Sequence, residues 1–398
     1  MLTISNNNNS SNSNSCSLHG AGNWWHWSGV SGRVQEYQHL REHEVENLLV
    51  LHSTVFHVLF PVLITIGILT NILNLVILTR PTMRNKSYRW LRWLATVDIV
   101  LCSLTIPVCL ATGGYRASSY NLAFYYAHFG WSLCIAWQTL SFYLMGWFAY
   151  DRFLAICCHD KFPNSHKVFE HRLGGSVVWV AILYTPTLAV GRLCPLGESW
   201  VPIDGYMGGM ENVWYRGYAW VREIFSRVVP AVVLTVCNVK ISYRLKHLRN
   251  IRDGFGSGVS PARRERERRL VLLLFWVTAC FYLYNTPVTI YYLAFLNHSD
   301  KYSNYSLLIF GAICNLLQMT GNIFNFVLYF LINPDFQRAL RVLFHLKVPD
   351  GIRDLGRDSI KESKSFQTTP MSAITVVPPD SHSDPTPPDA PNFRSYNS

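Results

Sequence analysis

The sequence WFAYDRFLAICCH, residues 147–159, places the adjacent charges Asp151 and Arg152 at the end of a long uncharged stretch. No Asp, Glu, Lys or Arg occurs between Arg116 and Asp151. About 20 apolar residues are enough for one helical crossing of a bilayer. The stretch therefore predicts a membrane-spanning helix, with the charged pair where the helix leaves the hydrocarbon.

Other stretches predict further crossings. They lie between Glu46 and Arg80, Arg92 and Arg116, Arg172 and Arg192, Arg269 and Asp300, and Lys301 and Asp335. Asp98 is the single charge inside them. A seventh helix, at about Tyr218–Val239, is apolar in its second half but carries Arg222, Glu223 and Arg227. Charged residues make up only 15% of the chain, below the roughly 25% usual in soluble domains. We predict an all-α membrane protein, a seven-helix transmembrane bundle.

The orientation follows from the distribution of Lys and Arg, which are enriched in cytoplasmic loops. Segments 80–92, 152–172 and 240–269 carry 19 of them, whereas the alternate connections carry only Arg116, Arg192, Arg216 and Lys301. This asymmetry predicts a multi-pass plasma-membrane protein with its N-terminus extracellular and its C-terminus in the cytoplasm. It also explains the net charge of +11 through contact with the lipid bilayer, so no nucleic-acid partner is predicted.

The chain divides into three regions. Residues 1–50 include the tract NNNNSSNSNS and predict an extracellular, low-complexity N-terminus. Residues 51–346 hold the seven helices, and residues 347–398, with PPDSHSDPTPPDAP, predict a disordered cytoplasmic tail that is either phosphorylated or featureless. Glycosylation sequons begin at Asn8, Asn9, Asn297 and Asn304, all on the predicted outer side.

Asp98 is an isolated carboxylate near the middle of the second helix, and burial there requires a cation, a proton or hydrogen-bond donors. Its candidate partners are amide and hydroxyl side chains of helices one, three and seven: Asn71, Asn74, Ser141, Asn322 and Asn325. Two interpretations remain open. The cluster binds a sodium ion through its oxygens, or Asp98 is protonated and bonded to the amides. No other cofactor is predicted.

The pair Asp151-Arg152 ends the third helix, where Arg152 can pair with Asp151 or reach across the bundle. Glu267 begins the sixth helix at the same depth. An Arg152–Glu267 ion pair would hold helices three and six together until the bundle opens on the cytoplasmic side. The alternative is a boundary charge run that is merely solvated.

Five prolines fall within the predicted helices: Pro61, Pro107, Pro186, Pro230 and Pro287. Proline lacks the backbone N–H and kinks a helix, so these positions predict hinges.

The order of these features resembles a rhodopsin-class (class A) G-protein-coupled receptor over about Val55–Leu346. The resemblance is carried by LATVD (residues 94–98), DRF (151–153), Trp179, Pro230, FYLYNTP (281–287), and NFVLY (325–329) followed by NPDFQRAL. The variants YNTP and NFVLY, with LTNILNLVIL in helix one, are most similar to the invertebrate FMRFamide-receptor-like neuropeptide receptors.

The resemblance implies an agonist in the outer half of the bundle, outward movement of helix six, and a heterotrimeric G protein that meets Arg152. It also implies a short amphipathic cytoplasmic helix after helix seven, and arrestin and receptor kinases acting on the tail. The residues that match the family's activation positions are Pro230, Phe281, Pro287 and Tyr329.

The chain departs from the family pattern at three activation positions. The aromatic residue before the helix-six proline is Asn285, the helix-seven proline is Phe326, and the helix-five tyrosine is Asn238. Activation is therefore expected to use different side chains at these points.

The family's outer disulfide is the fourth departure. The family's cysteine position in helix three is occupied by Ala127, and residues 195–217 contain no cysteine. Cys134 and Cys194 form a candidate replacement pair, with Cys109 and Cys16 as alternatives, and no connectivity follows from sequence.

The resemblance also limits the ligand. The aspartate of amine receptors is replaced by Cys134, and the retinal-binding lysine of opsins by Met319, so neither ligand is expected. Aromatic and polar residues at pocket depth suit one end of a peptide: Trp131, Cys134, Trp137, Gln138, Arg222, Glu223, Tyr291, Tyr292, Asn315 and Gln318. Glu223 either pairs with a cationic side chain of that peptide or neutralises Arg222 or Arg227.

We therefore expect a receptor that couples an extracellular neuropeptide, amidated and FMRFamide-like, to a heterotrimeric G protein. The alternative is an orphan receptor with constitutive or partner-dependent activity and no diffusible ligand. An enzyme is not expected, because no nucleophile–base or paired-carboxylate arrangement is found. A transporter is not expected either, because no inverted repeat is found.

Overall fold

The computed structural model describes residues 47, 50–51, 53–83, 88–112, 120–158, 166–189, 191–196, 199–204, 213–252, 261–295 and 305–345. Within these ranges seven long helices form the bundle that the sequence predicts. Their bounds are α1 Thr54–Leu78, α2 Arg89–Thr112, α3 Tyr120–Cys157, α4 His166–Tyr184, α5 Val213–Arg252, α6 Pro261–Phe295 and α7 Tyr305–Ile332.

A two-stranded antiparallel hairpin lies between α4 and α5, which an all-helical prediction did not include. Strand β1 is Gly191–Leu196 and strand β2 is Ser199–Asp204, with Gly191 opposite Asp204. Both strands contact the first turns of α3. We call this side of the bundle the hairpin end, and the opposite side, where α3 finishes, the Arg152 end.

Three helices contain a π-helical segment near the hairpin end: Thr54–Leu59 in α1, Tyr125–Gly130 in α3 and Ile224–Val228 in α5. In α1 and α5 the segment directly precedes the Pro61 or Pro230 region. Proline has no N–H to donate to the carbonyl four residues earlier. The helix can therefore widen there to hydrogen bonds between residues five apart. The Phe60 N–H, for example, bonds Val55 O. Of the five predicted hinge prolines, only Pro61 and Pro230 follow a π segment. Pro186 lies in the 3-10 turn Thr185–Ala189, and Pro107 and Pro287 lie inside helices that continue past them.

The helices surround a continuous apolar core in the half of the bundle towards the Arg152 end. Its members include Leu94, Leu144, Phe148, Leu274 and Tyr329, all nearly inaccessible to solvent. Helix α3 runs through the middle and packs on α2, α4 and α5, whereas α7 packs on α1 and α6. Polar side chains of α2, α3 and α7 therefore face each other inside the bundle.

The outer surface of the bundle is apolar. Within the described residues five helices, α1, α2, α5, α6 and α7, are long and apolar enough to cross a membrane. Helices α3 and α4 carry more polar and aromatic residues, but α4 still presents Val177, Val178 and Ile182 outward. Such side chains need a lipid environment, because soluble proteins rarely expose large apolar patches.

An eighth helix, α8, spans Pro334–Leu343 directly after α7 and is amphipathic. Its cytoplasmic placement stays a prediction. Asn333 caps it, since its Oδ1 accepts from the backbone N–H groups of Asp335 and Phe336 at 3.1 and 3.4 Å. Phe336 is fully buried, 5.9 Å from the rings of both Tyr329 and Phe326. Phe326 therefore replaces the family's proline with an aromatic contact that fixes α8 against α7.

Gly67 allows α1 and α2 to approach closely, because a Cβ there would lie 3.0 Å from the Sγ of buried Cys102. We expect Gly67→Val to lower the free energy of unfolding by about 1–3 kcal/mol, as overpacking of a tight contact does. The measurement is thermal unfolding of purified protein in detergent. The matched control is Gly174→Val, where a Cβ meets nothing within 4 Å. Equal losses in the two variants would show that the α1–α2 contact is not tight.

Candidate functional site

Asp98 lies at the centre of a hydrogen-bonded group that joins α2, α3 and α7. The Ser141 hydroxyl donates to Asp98 Oδ1 at 2.9 Å, and Asn325 Nδ2 donates to Oδ2 at 3.1 Å. All three residues are buried. Each carboxylate oxygen accepts one hydrogen bond, a capacity that ionised and protonated carboxyl groups share, so the sodium ion and the proton both stay predictions. The structure thus brings together three of the residues that the sequence assigned to this cluster.

The other amides form a second group beside the first. Asn71 Nδ2 donates to the backbone oxygen of Asn322 at 3.3 Å, and Asn322 Nδ2 donates to Gln138 Oε1 at 3.4 Å. Two buried oxygens, Asn74 Oδ1 and Tyr329 Oη, have no hydrogen-bond partner within the described part of the chain. The region is therefore rich in oxygen atoms that can still accept a bond, as a small hard cation requires.

A cavity of about 60 Å³ opens above these groups, between α1, α2, α3 and α7. Five of the predicted pocket residues line it: Trp131, Cys134, Gln138, Asn315 and Gln318. The rest of the lining is Phe60, Leu101, Thr105, Ile135 and Met319. The volume suits a few water molecules or one side chain. In this conformation the cavity can hold one end of a ligand.

Two glutamines connect the cavity to the interior of the bundle. Gln138 accepts from Asn322, and Gln318 Nε2 donates to Asn285 Oδ1 at 3.3 Å. Asn285 in turn donates to the backbone oxygen of Phe281 at 3.0 Å. The asparagine that replaces the family's aromatic residue therefore ties α6 to α7 by a hydrogen bond, a link that sequence reasoning missed.

The predicted activation residues of α5 and α6 are held by contacts of their own. The Phe281 ring meets Phe142 of α3 edge to face, with centroids 5.0 Å apart, and Pro230 of α5 is also buried. Asn238, in place of the family's tyrosine, donates to Thr278 Oγ1 of α6 at 2.6 Å. Pro287 is half-buried within α6. Hydrogen bonds and ring contacts thus hold α6 against α3 and α5.

The predicted pocket residues of α5 and α6 do not line the cavity. Tyr291 packs so closely on α7 that a Cβ on Gly311 would lie 2.8 Å from its hydroxyl. Tyr292 faces Arg227, whose guanidinium carbon is 4.9 Å from the ring centre. The Glu223 carboxylate accepts from Arg222 and Arg227, both at 2.8 Å. Of its two predicted roles, the structure favours neutralisation of the arginines.

The predicted Cys134–Cys194 disulfide is wrong. Cys134 is a free, buried cysteine whose sulfur lies 3.6 Å from the hydroxyl of Thr105. It faces α2 inside the bundle because α3 continues through a further turn and a π segment towards the hairpin end. The side chain of Cys194, in β1, lies outside the described residues.

At the Arg152 end, Asp151 is bonded to two residues that the sequence did not predict as its partners. Trp90 Nε1 of α2 donates to Oδ2 at 2.5 Å, and Arg172 of α4 forms an ion pair with Oδ1 at 2.6 Å. Arg152 is buried beside it, with 7% of its surface exposed. Asp151 therefore fastens α3 to α2 and α4.

Aromatic rings enclose this ion pair. Phe169 lies 4.3 Å from the Trp90 ring, and the guanidinium of Arg172 lies 5.0 Å from the ring of Trp147 and 5.2 Å from that of Tyr150. Contacts of this kind strengthen a charge pair by excluding water and by cation–π attraction. Trp90 could have been identified from sequence only by knowing which α2 residue faces Asp151, 61 positions away.

Several predicted features lie outside the described residues. They are the side chain of Glu267, the sequons at Asn8, Asn9, Asn297 and Asn304, most of the N-terminal region, and the C-terminal tail after residue 345. The Arg152–Glu267 pair therefore stays a prediction.

Comparison with known proteins agrees with this arrangement. Residues 70–329 match the family model for seven-transmembrane receptors of the rhodopsin family. Squid rhodopsin has a similar fold, with a TM-score of 0.61 at 13% identity, over 78% of this chain and 91% of that chain.

Two proteins of similar sequence are named as receptors. A probable G-protein coupled receptor of Caenorhabditis elegans is 24% identical over 321 residues, which cover 77% of this chain and 73% of the relative. Neuropeptide Y receptor type 1 of Xenopus laevis is 26% identical over 193 residues, 46% of this chain and 50% of that receptor.

The family match covers more than half of the chain, and it runs from within α1 into α7 and includes Asp98 and Asp151. Proteins of this family are multi-pass membrane receptors and not enzymes. This chain belongs to the rhodopsin family of seven-transmembrane receptors.

Proposed function

We propose that this receptor binds an extracellular neuropeptide and transmits the binding to a heterotrimeric G protein. The observation that carries the proposal is the pair of cavity glutamines, Gln138 and Gln318, bonded to Asn322 and Asn285. A ligand group that competes for these amides changes the bonds that join α6 and α7 and reaches the Asp98 region. Peptide binding and helix movement are thereby coupled through the Gln138–Asn322 and Gln318–Asn285 hydrogen bonds.

The cavity lining supports a peptide as the ligand. Trp131 supplies an aromatic wall, and the amides of Gln138, Asn315 and Gln318 can donate to and accept from a peptide backbone or a terminal amide. The similarity to a neuropeptide Y receptor supports the same class. Amidated peptides of the FMRFamide type are the first to test, because a terminal amide complements glutamine side chains.

The proposed arrangement places the N-terminus and the hairpin outside the plasma membrane and the Arg152 end in the cytoplasm. Movement of α6 would then expose Arg152 to the G-protein α-subunit. Arrestin and receptor kinases are proposed to act on the C-terminal tail, which contains several Ser and Thr residues.

We expect cells expressing the receptor to give a calcium or cAMP response to at least one peptide in an amidated neuropeptide library. Arg152→Ala should abolish that response but leave peptide binding to the surface intact, since Arg152 lies at the opposite end from the cavity. The measurement is a dose–response curve together with binding of a labelled form of the active peptide. Silence across the library, with normal surface expression and high basal signalling, would instead favour a receptor without a diffusible ligand.

Asp151 is proposed to act as an anchor that keeps the end of α3 fixed to α2 and α4 during activation. Trp90→Phe keeps an aromatic ring beside Phe169 but removes the N–H that reaches Asp151. We expect a loss of about 1.5–3 kcal/mol in unfolding free energy, as for a hydrogen bond to a charged group. We also expect raised ligand-independent signalling.

Trp93→Phe is the matched control, because Trp93 lies one turn away on α2 with 42% of its surface exposed. It should change neither stability nor basal signalling. If Trp90→Phe lowers the melting temperature without changing basal signalling, Asp151 contributes to folding only and the anchor proposal fails.

We further propose that the Asp98 group binds a sodium ion. Asp98 and Ser141 would hold the ion through oxygen atoms, and the buried acceptors Asn74 Oδ1 and Tyr329 Oη fit the same chemistry. The ion would supply the positive charge that an ionised carboxylate needs in this interior.

Sodium should therefore raise the thermal unfolding midpoint of the purified receptor relative to choline at equal ionic strength. Asp98→Asn, which keeps the shape and removes the charge, should abolish the difference because the ion loses its counter-charge. A sodium effect of equal size in the variant would rule out this site.

A further inference from the structure

Helices α5 and α6 meet along a line of polar groups. On α5 the line comprises the carbonyl of Ala231 and the side chains of Thr235 and Asn238, at spacings of four and three residues. On α6 it comprises the side chains of Thr278 and Tyr282, four residues apart. Residues three or four positions apart lie on one face of a helix. The two faces oppose each other in the structure, and we call these five residues the α5–α6 seam.

At one end of the seam the hydroxyl of Tyr282 reaches α5. Tyr282 Oη lies 2.9 Å from the backbone oxygen of Ala231 and within hydrogen-bond distance of Thr235 Oγ1. Thr235 Oγ1 in turn lies 2.8 Å from the same backbone oxygen. Two hydroxyl protons are therefore shared among three oxygens, and each way of placing them includes a hydrogen bond between Tyr282 and α5.

At the other end of the seam the bond runs from α5 to α6. Asn238 Nδ2 donates to Thr278 Oγ1 at 2.6 Å. The Thr278 hydroxyl donates its own proton to the backbone oxygen of Leu274, on the same helix, at 2.9 Å. A hydroxyl has only one proton, so its oxygen is left as an acceptor, and the Asn238 amide supplies the donor.

The surroundings of the seam are apolar. Its neighbours along the two helices include Val232 and Val236 of α5 and Phe275 and Leu283 of α6, which are all exposed on the outside of the bundle. In a bilayer these side chains face hydrocarbon, which neither donates nor accepts a hydrogen bond. A seam group that leaves its partner therefore has no lipid group to replace it. Each hydrogen bond between membrane helices favours the associated state by roughly 3- to 15-fold.

Both α6 members of the seam lie on the Arg152 side of Pro287, one of the predicted hinges. Thr278 precedes Pro287 by nine residues, which is about 13 Å of helix at about 1.5 Å per residue. A bend of about 10° at Pro287 would displace Thr278 by about 2 Å, enough to break its bond to Asn238. Helix α5 packs more extensively on α3 than on α6, so we expect α5 to remain with α3 when α6 moves. Movement of α6 then requires the seam to open.

We propose that Asn238, Thr278 and Tyr282 are positioning residues that hold α6 against α5 and set how readily the receptor signals. A state in which α6 has moved lacks both bonds of the seam, so the seam favours the closed state. A ligand must bind the moved state more tightly by at least that factor to reverse the preference. The inference rests on the proposed function, in which movement of α6 exposes Arg152, and it adds the residues that oppose this movement.

Tyr143 of α3 provides the matched control, because it makes the same kind of bond to α5 from a helix that does not move in the proposal. Its hydroxyl donates to the backbone oxygen of Phe225 at 3.0 Å. Neither helical donor serves that oxygen, since the Val229 N–H bonds the oxygen of Ile224 and Pro230 has no N–H. Tyr143→Phe therefore loosens α5 and leaves the seam intact.

The first test measures ligand-independent signalling per receptor at the cell surface. Tyr282→Phe removes one hydroxyl, and Thr278→Val removes the acceptor of Asn238 with little change of shape. We expect each variant to raise basal signalling roughly 3- to 15-fold, the contribution of one interhelix hydrogen bond. Thr278→Ser keeps the hydroxyl and should signal like the wild type. Tyr143→Phe should lower the thermal unfolding midpoint without raising basal signalling.

The second test observes the position of α6 and needs neither a peptide nor a G protein. Purified receptor in nanodiscs carries spin labels on p-acetylphenylalanine at Lys167 of α4 and Leu272 of α6, two exposed positions. This chemistry leaves the native cysteines unlabelled, and pulsed electron paramagnetic resonance gives the distribution of distances between the labels. Tyr282→Phe and Thr278→Val should enlarge the population at longer distance. The wild type and Tyr143→Phe should have the same distribution.

The proposal is overturned if Tyr282→Phe and Thr278→Val leave the distance distribution of the wild type unchanged. It is also overturned if Tyr143→Phe produces the same change, because loosening α5 by any route would then be sufficient. A peptide response of the wild type would leave the proposed function standing in both cases. If the distances change as expected but no variant alters signalling, the seam is supported and the proposed coupling to a G protein fails.

Discussion

The structure depends on one constraint: hydrocarbon offers no hydrogen-bond partner, so a polar side chain within the bundle must find its partner inside the protein. Asp98 meets this constraint through Ser141 of α3 and Asn325 of α7. Asp151 meets it through Trp90 of α2 and Arg172 of α4. These two carboxylates set the positions of α2 and α3 relative to their neighbours at two different depths.

The same constraint explains how a receptor of this kind can change state. A buried polar group that loses its partner needs another hydrogen-bonding group in its place, from the protein or from a ligand. Gln138 and Gln318 are each bonded to an asparagine and also line the cavity. A ligand that takes one of these bonds leaves the asparagine needing a new partner, and the helices shift to provide it.

The sequence predicted the parts of the fold that depend on local pattern. Uncharged stretches predicted the helices, and the isolated position of Asp98 predicted its cluster, since few polar partners exist at membrane depth. It could not predict which side chains meet over long separations. Trp90 and Asp151 are 61 positions apart, and Gln318 and Asn285 are 33 apart. Their contact depends on helix rotation, to which π segments contribute.

The rotation of the helices about their axes also explains two wrong predictions at the site. Cys134 was expected to pair with Cys194, but its side chain faces Thr105 of α2 inside the bundle. Tyr291 and Tyr292 were expected in the cavity, yet one packs on α7 and the other on Arg227. Residue type indicated what each side chain could do, and only the packed bundle determined which neighbour it met.

The central claim is that the chain crosses the membrane seven times, with the Arg152 end in the cytoplasm. It is tested most directly by antibody staining of two epitope tags, one at the N-terminus and one inserted within residues 253–260, between α5 and α6. We predict that intact cells stain only for the N-terminal tag and that the second tag stains after permeabilisation. Staining of the 253–260 tag on intact cells would contradict the account.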